Sequence, residues 1–209
     1  MKKVVIFDFD YTLGDSSEGI ITCIRYALRQ MGLPSADRTA ILNTIGLSLP
    51  ATYTELTGQT EKAPLFEQYF KEKADQVMVQ NTVLYPHVAD MLERIRKKGA
   101  KTAIVTTKYH IRIEQILAVN HIAHLVDAII GADDVSRPKP SPEGILKICR
   151  QFHVNHADML YVGDSLVDAK AAQAAGVDFI AVLTGTTPVE AFNEYSNIGI
   201  LPTVAMLDF

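Results

Sequence analysis

The chain has 209 residues with 48% hydrophobic content, enough to bury a sizeable core in one domain or in one domain carrying an insert, which excludes a disordered chain. With 20 Lys and Arg against 24 Asp and Glu, the formal charge is −4 and no basic run occurs, so no nucleic-acid partner is expected. Asp8 and Asp10 interrupt the apolar start far short of a signal peptide or a membrane span, and Cys23 and Cys149 read as buried free thiols. No membrane partner and a cytoplasmic location follow as expectations.

The run VVIF (4–7) is short, apolar and β-branched, the pattern of a parallel strand buried on both faces, and it ends in acids. A region of roughly seventy residues follows with helical signals and no convincing strand, including 17–31 and 61–78. Turn-forming residues at Gly14 and at 81–86 bound it, which predicts an inserted helical domain over 15–85 within a core of 1–14 and 86–209. The segment 90–98 then reads as a helix stopped at Gly99, and SPEGILKICRQF as a helix with Ser141 as cap and Pro142 in its first turn. Between and after them TAIVT (102–106), AII (128–130), MLYVG (159–163) and FIAVL (179–183) read as strands. Alternating strands and helices predict an α/β fold with a doubly wound parallel sheet. The tail from Thr187 shows a short helix signal at 189–195 and an apolar end able to pack on the core.

In such sheets ligands bind beyond the carboxyl ends of the strands. The strands deliver Asp8 and Asp10, then Thr106 and Thr107, then Asp164, with Asp168 one helical turn further. Carboxylates gathered at one edge repel unless a cation sits among them, and hard oxygen ligands select Mg2+. Thr106 and Thr107 offer hydroxyl and backbone donors at a strand-to-helix turn, and Lys139 lies on the proline-stiffened loop RPKPSP, so the set predicts a phosphate site. Asp8 can then attack phosphorus and Asp10 can carry the proton. Thr106 could also serve as a helix cap, and Asp168 could merely cap its helix. Lys108 and Arg25 are cationic candidates for a substrate carboxylate or a second phosphate that read at least as well as surface residues, and the pairs His121/His124 and His153/His156, at a spacing that could suggest zinc but with no third ligand cluster, read as surface histidines.

FDFDYTLGDS, IVTT, RPKPSPEGI and VGDSLVDAKAAQAAG resemble, in order and spacing, the four motifs of the haloacid dehalogenase-like hydrolase superfamily, over nearly the whole chain. The resemblance implies a Rossmann-like core with a helical cap, and Mg2+ held by the Asp8 carboxylate, the Asp10 backbone carbonyl and Asp164, with Asp168 in support. It implies Asp8 as nucleophile, Asp10 as general acid and base, and phosphate contacts from Thr106 and Lys139. The cap position is similar to that of the phosphoglycolate phosphatase and β-phosphoglucomutase group, and TIGLSLPATYTELTG resembles its specificity loop, with Gly46 and Leu47 facing the site. Members with this cap usually have Gly where Tyr11 stands and a bulkier residue where Gly14 stands, so the first motif loop departs here. A side chain at Tyr11 could line the entrance and narrow the choice of leaving group.

The expected function is a phosphatase acting on a small phosphorylated metabolite through an aspartyl-phosphate, as a monomer or homodimer. The alternatives are a sugar phosphomutase and a non-catalytic phosphate- or partner-binding protein that keeps the fold.

Overall fold

The computed structural model describes residues 2–208. In chain order the elements are β1 (Val4–Phe7), β2 (Gly14–Asp15), α1 (Ser17–Gln30), α2 (Arg38–Leu42), α3 (Leu49–Thr57) and α4 (Ala63–Val77). There follow β3 (Val83–Leu84), α5 (Val88–Lys97), β4 (Lys101–Val105), α6 (His110–Val119) and β5 (Ala128–Ile130). The chain continues through α7 (Glu143–Phe152), β6 (Met159–Gly163), α8 (Leu166–Ala175), β7 (Asp178–Val182) and β8 (Gly199–Leu201). It divides into two compact units, residues 1–14 with 84–209, and residues 15–83. No helix among the described residues is long and apolar enough to cross a membrane.

The first unit is an α/β fold whose six-stranded sheet runs β5-β4-β1-β6-β7-β8 with every pair parallel. Val4 aligns with Lys101 on one side and Met159 on the other, so β1 lies between β4 and β6. Strands β4 and β5 build outward on one side and β6, β7 and β8 on the other. The point where the strand order reverses, and where such folds bind ligands, is therefore the carboxyl end of β1. All four β1 side chains are fully buried, which is why the run reads as continuously apolar. Tyr161, Phe179 and Phe192 continue the core, with ring centroids 6.4 and 6.2 Å apart along the row.

The tail expectation resolves into a 3-10 turn, Val189–Glu194, that buries Phe192, followed by β8. Strand β8 is absent from the sequence reading: three residues between Asn197–Ile198 and Pro202 carry too little periodicity to register. Val204 and Leu207 then bury themselves as the apolar end suggested. Cys149 is half-buried instead of buried, its Sγ facing the Val154 carbonyl, whereas Cys23 is buried.

Asp127 ties α5 and β4 to the entry of β5. Its carboxylate accepts from Thr102 N at 3.0 Å, Arg96 Nη1 at 2.5 Å and Lys101 Nζ at 3.0 Å. Burial pushes this carboxyl up, but the Thr102 N–H and the two cations outweigh it and hold it below the usual carboxylate range. A lowered folded-state value means the stabilisation is complete above the ordinary value of about 3.9 and lost as pH falls through the lowered one. Asp127→Asn should cost about 2 kcal/mol at pH 7 by urea unfolding, and the gap to the parent should close in strong acid. A pH-independent gap would refute this account.

The second unit is helical. Helices α1 and α4 bury Ile20, Ile24 and Leu28 against Phe66, Phe70 and Ala74, with the Tyr53 ring of α3 tilted against Phe66 at a centroid distance of 5.4 Å. Helical spacing of these apolar residues produces the buried faces. Asp37 caps α2 and Ser48 caps α3, while Gly58, at φ +70, ends α3 in the left-handed conformation that glycine adopts without penalty.

Candidate active site

The site is built on the end of β1. Asp8 N donates to Val162 O at 2.9 Å and so extends the parallel ladder by one residue, which fixes the Asp8 backbone, 1% exposed, at the switch point. The chain then turns tightly. The N–H groups of Thr12, Leu13 and Gly14 all point at the Phe9 carbonyl, at 3.1, 2.8 and 3.2 Å, and Tyr11 N donates to Gly14 O at 2.8 Å. Tyr11 sits at φ +59, the left-handed region where a side chain costs about 1 kcal/mol relative to glycine. This is the strain implied by a tyrosine where glycine is usual. Gly14 does not take a positive φ and joins β2.

Three carboxylates meet here. Asp8, Asp164 and Asp168 each present an oxygen within 4.8 Å of the others, all buried. Lys139 Nζ lies 2.5 Å from Asp168 Oδ1, 2.9 Å from Asp8 Oδ1 and 3.1 Å from the Tyr161 hydroxyl. The Tyr161 proton is shared between Val105 O at 2.8 Å and Asp168 Oδ1 at 3.1 Å. Asp168 does both things its sequence allowed. Its Oδ2 completes a capping box with Ser165 at the start of α8, while its Oδ1 pairs with Lys139. Thr12 Oγ1 donates to Asp164 Oδ1 at 3.0 Å.

One lysine faces three buried acids, and the titration behaviour follows. Burial raises the Asp8 carboxyl to about 7, with the Lys139 charge opposing and Asp168 adding to the rise. Burial also lifts Asp164 well above the usual range, reinforced by Asp168 and Asp8. Burial pulls the Lys139 ammonium down, but Asp168 and Asp8 prevail and hold it above the ordinary lysine value. The Asp8 Oδ1 approach to Lys139 falls outside hydrogen-bond geometry, so this buried oxygen has no hydrogen bond among the described residues. An all-oxygen donor set with excess negative charge and an unsatisfied buried carboxylate oxygen fits a hard divalent cation.

Asp10 lies outside this carboxylate group. Its Oδ2 pairs with Lys108 Nζ at 3.1 Å, both side chains being buried. Thr106 is buried at the end of β4, but its N–H donates to Ile130 O at 3.0 Å, so the expected backbone donor is engaged in the sheet. Its Oγ1 accepts from Lys108 N at 3.3 Å, which leaves the hydroxyl proton free to donate. Thr107 is half-buried beside it. Gly46 and Leu47 occupy the turn between α2 and α3 in the helical unit, Gly46 at φ +98. All four histidines of the two pairs are exposed; His121 and His153 adopt positive φ at helix ends, so neither pair lies along one helix face.

Several contributors escape a sequence reading. Lys108, which reads in the sequence either as a substrate-binding cation or as a surface residue, is buried on Asp10. Thr12 and Tyr161 act through hydroxyl contacts that no spacing reveals. A Cβ at Gly185 would fall 2.0 Å from Asp164 Oδ2, and one at Gly163 would fall 2.5 Å from Asp168 Cγ, so both carboxylates rest against bare backbone. Gly163 had a signal in the VGDS string, whereas Gly185 had none.

A parallel sheet with an acid cluster at its switch point, a buried lysine among those acids and a separate helical unit matches the architecture of a known class of hydrolases. The profile of the haloacid dehalogenase-like hydrolases matches residues 5–182. The phosphoglycolate phosphatase of Escherichia coli (strain K12) is 30% identical over 216 residues, covering 90% of this chain and 84% of the relative. That of Salmonella typhimurium (strain LT2) is 31% identical over 214 residues, covering 90% and 83%. The solved structure of a Bacteroides fragilis protein described as a haloacid dehalogenase-like hydrolase superposes with a TM-score of 0.96 at 38% identity, over 100% of both chains. The chain belongs to the haloacid dehalogenase-like hydrolase family, and it is a hydrolase of the phosphatase kind.

Proposed function

We propose that this protein is a Mg2+-dependent phosphatase that hydrolyses a small phosphorylated metabolite of the phosphoglycolate type through an aspartyl-phosphate on Asp8. The observation that carries the reading is the Asp8 carboxylate itself: buried at the switch point, beside Lys139, with one oxygen unsatisfied. Relatives named phosphoglycolate phosphatase support the substrate class.

Asp8 and Asp164 would hold the ion with the Asp10 carbonyl, and Asp168 would support them. When bound, Mg2+ offsets the negative charge of phosphate and carboxylates. The Asp8 oxygen attacks phosphorus and the bond from phosphorus to the leaving oxygen breaks. Asp10, fixed by Lys108, gives that oxygen a proton. A water then attacks phosphorus, yields its proton to Asp10, and the bond to Asp8 breaks, which restores both carboxyl groups. Lys139 and the Thr106 hydroxyl bind phosphate oxygens, Thr107 lies next to them, and Lys139 stays charged because two acids flank it.

Phosphate release from a panel containing phosphoglycolate, sugar phosphates and pyrophosphate is the test, with product analysis to expose transfer to a sugar. Release should need Mg2+, stop with chelator, and fall about 10³-fold or more in Asp8→Asn, the scale of losing a nucleophile. Release that survives Asp8→Asn would overturn the reading. Gly46, Leu47 and Tyr11 are the proposed specificity residues. Tyr11→Gly should reorder the panel while leaving chelator sensitivity unchanged, and an unaltered ranking would remove Tyr11 from that role.

A further inference from the structure

In the helical unit, α1 and α4 pack together and leave a cleft of about 450 Å³ at their surface. Arg25 and Arg29, one turn apart on α1, and Lys73 on α4 line it, with Tyr26 between them and the hydroxyls of Thr22 and Ser35 at its wall. Arg29 Cζ and Lys73 Nζ lie 5.8 and 5.7 Å from the Tyr26 ring centroid. The Tyr26 hydroxyl donates to Glu72 Oε1 at 2.5 Å, and Glu18, which feels the charge of Arg25, is paired with Arg38.

None of the seven lining residues is acidic, and among the described residues none of the three cations is in a salt bridge with a carboxylate; Lys73 donates to the Gln76 amide oxygen at 3.0 Å and otherwise faces the Tyr26 ring. Three like charges around one ring repel each other, and they do so on a chain whose net charge is −4. A bound anion would turn that repulsion into attraction. Two guanidinium forks match phosphate oxygens two at a time, the ammonium and the Ser35 hydroxyl supply further donors while the Thr22 hydroxyl donates to the Glu18 carbonyl at 2.8 Å, and the volume lies in the range of small-molecule sites and exceeds one phosphate.

We infer that this cleft binds a small polyphosphate anion, of the di- or triphosphate class, at a site made wholly from the helical unit and independent of the Asp8 chemistry. Isothermal titration of the full chain with sodium tripolyphosphate, in chelator and at low salt, tests it. Saturable binding is expected, weakening as salt rises. Arg25→Gln/Arg29→Gln should weaken it about tenfold or more and Lys73→Gln several-fold, while Lys97→Gln/Lys98→Gln on α5 and its cap should not. The exposed positions of both arginines leave the fold intact, which circular dichroism verifies, and Lys73→Gln provides an independent arm. Absence of binding at millimolar tripolyphosphate, or full-strength binding in Arg25→Gln/Arg29→Gln, overturns the proposal.

Discussion

Lys139→Met is expected to abolish phosphate release and, in metal-free buffer at pH 7, to lower the free energy of unfolding by about 3–5 kcal/mol, the scale of breaking a buried ion pair. Its side chain is 3% exposed and stands between Asp8 and Asp168, with the Tyr161 hydroxyl as a third neighbour. Methionine fills similar volume, so the loss reflects charge more than packing. With the ammonium gone, two buried carboxylates face each other uncompensated. Their response to pH gives the prediction its sign. Burial holds the Asp8 carboxyl at about 7 against an ordinary 3.8, so the metal-free folded state takes up a proton that the unfolded state releases. Stability from this group is therefore greatest below pH 4 and declines as pH rises toward 7. Removing Lys139 takes away the charge that opposes the rise, so the decline should be steeper in the variant. Urea unfolding across pH 4–7 reads it directly. Equal stability of parent and variant at pH 7 would mean that Lys139 does not compensate the acids.

Much of this was legible because local rules and global fold agree. Val4–Phe7 is buried on both faces, so its composition alone marks the central strand, and the acids that end it must then lie at the sheet edge. Asp168 was ambiguous because capping and ion pairing ask for the same residue one turn into a helix; the structure shows both at once. Tyr161 was hidden because an aromatic inside a strand reads as core. It is core, with a hydroxyl that reaches Lys139 and Asp168 from the opposite end of the ring. The Thr12 to Asp164 contact spans 152 residues of sequence, a separation no local pattern encodes. Strand β8 escaped because three edge residues pair with β7 through backbone groups, which carry no side-chain signature.

Gly185 was the least visible contributor. Gly185→Ala is expected to raise the Mg2+ concentration for half-maximal activity about 10- to 100-fold, the range seen when the support of a metal ligand is disturbed. The added Cβ would lie 2.0 Å from Asp164 Oδ2 and 2.9 Å from its Cγ, far inside contact distance, so the carboxylate or the loop must move. The loop is restrained, since Leu183 N donates to Leu201 O at 3.0 Å and Thr184 Oγ1 donates to the Tyr11 carbonyl. Asp164 is the more easily displaced, its other oxygen being anchored by the Thr12 hydroxyl at 3.0 Å. Rotation of Asp164 would break that bond and pull an oxygen away from Asp8, while leaving Asp8 and Lys139 in place. Saturating Mg2+ should accordingly recover much of the rate in Gly185→Ala and none in Asp8→Asn. Gly199→Ala is the matched control, because its Cβ would meet nothing closer than Ile180 at 3.8 Å, an ordinary contact. A Gly185→Ala protein with the parental Mg2+ midpoint would show that the loop yields instead of the ligand, and would take Gly185 out of the metal site.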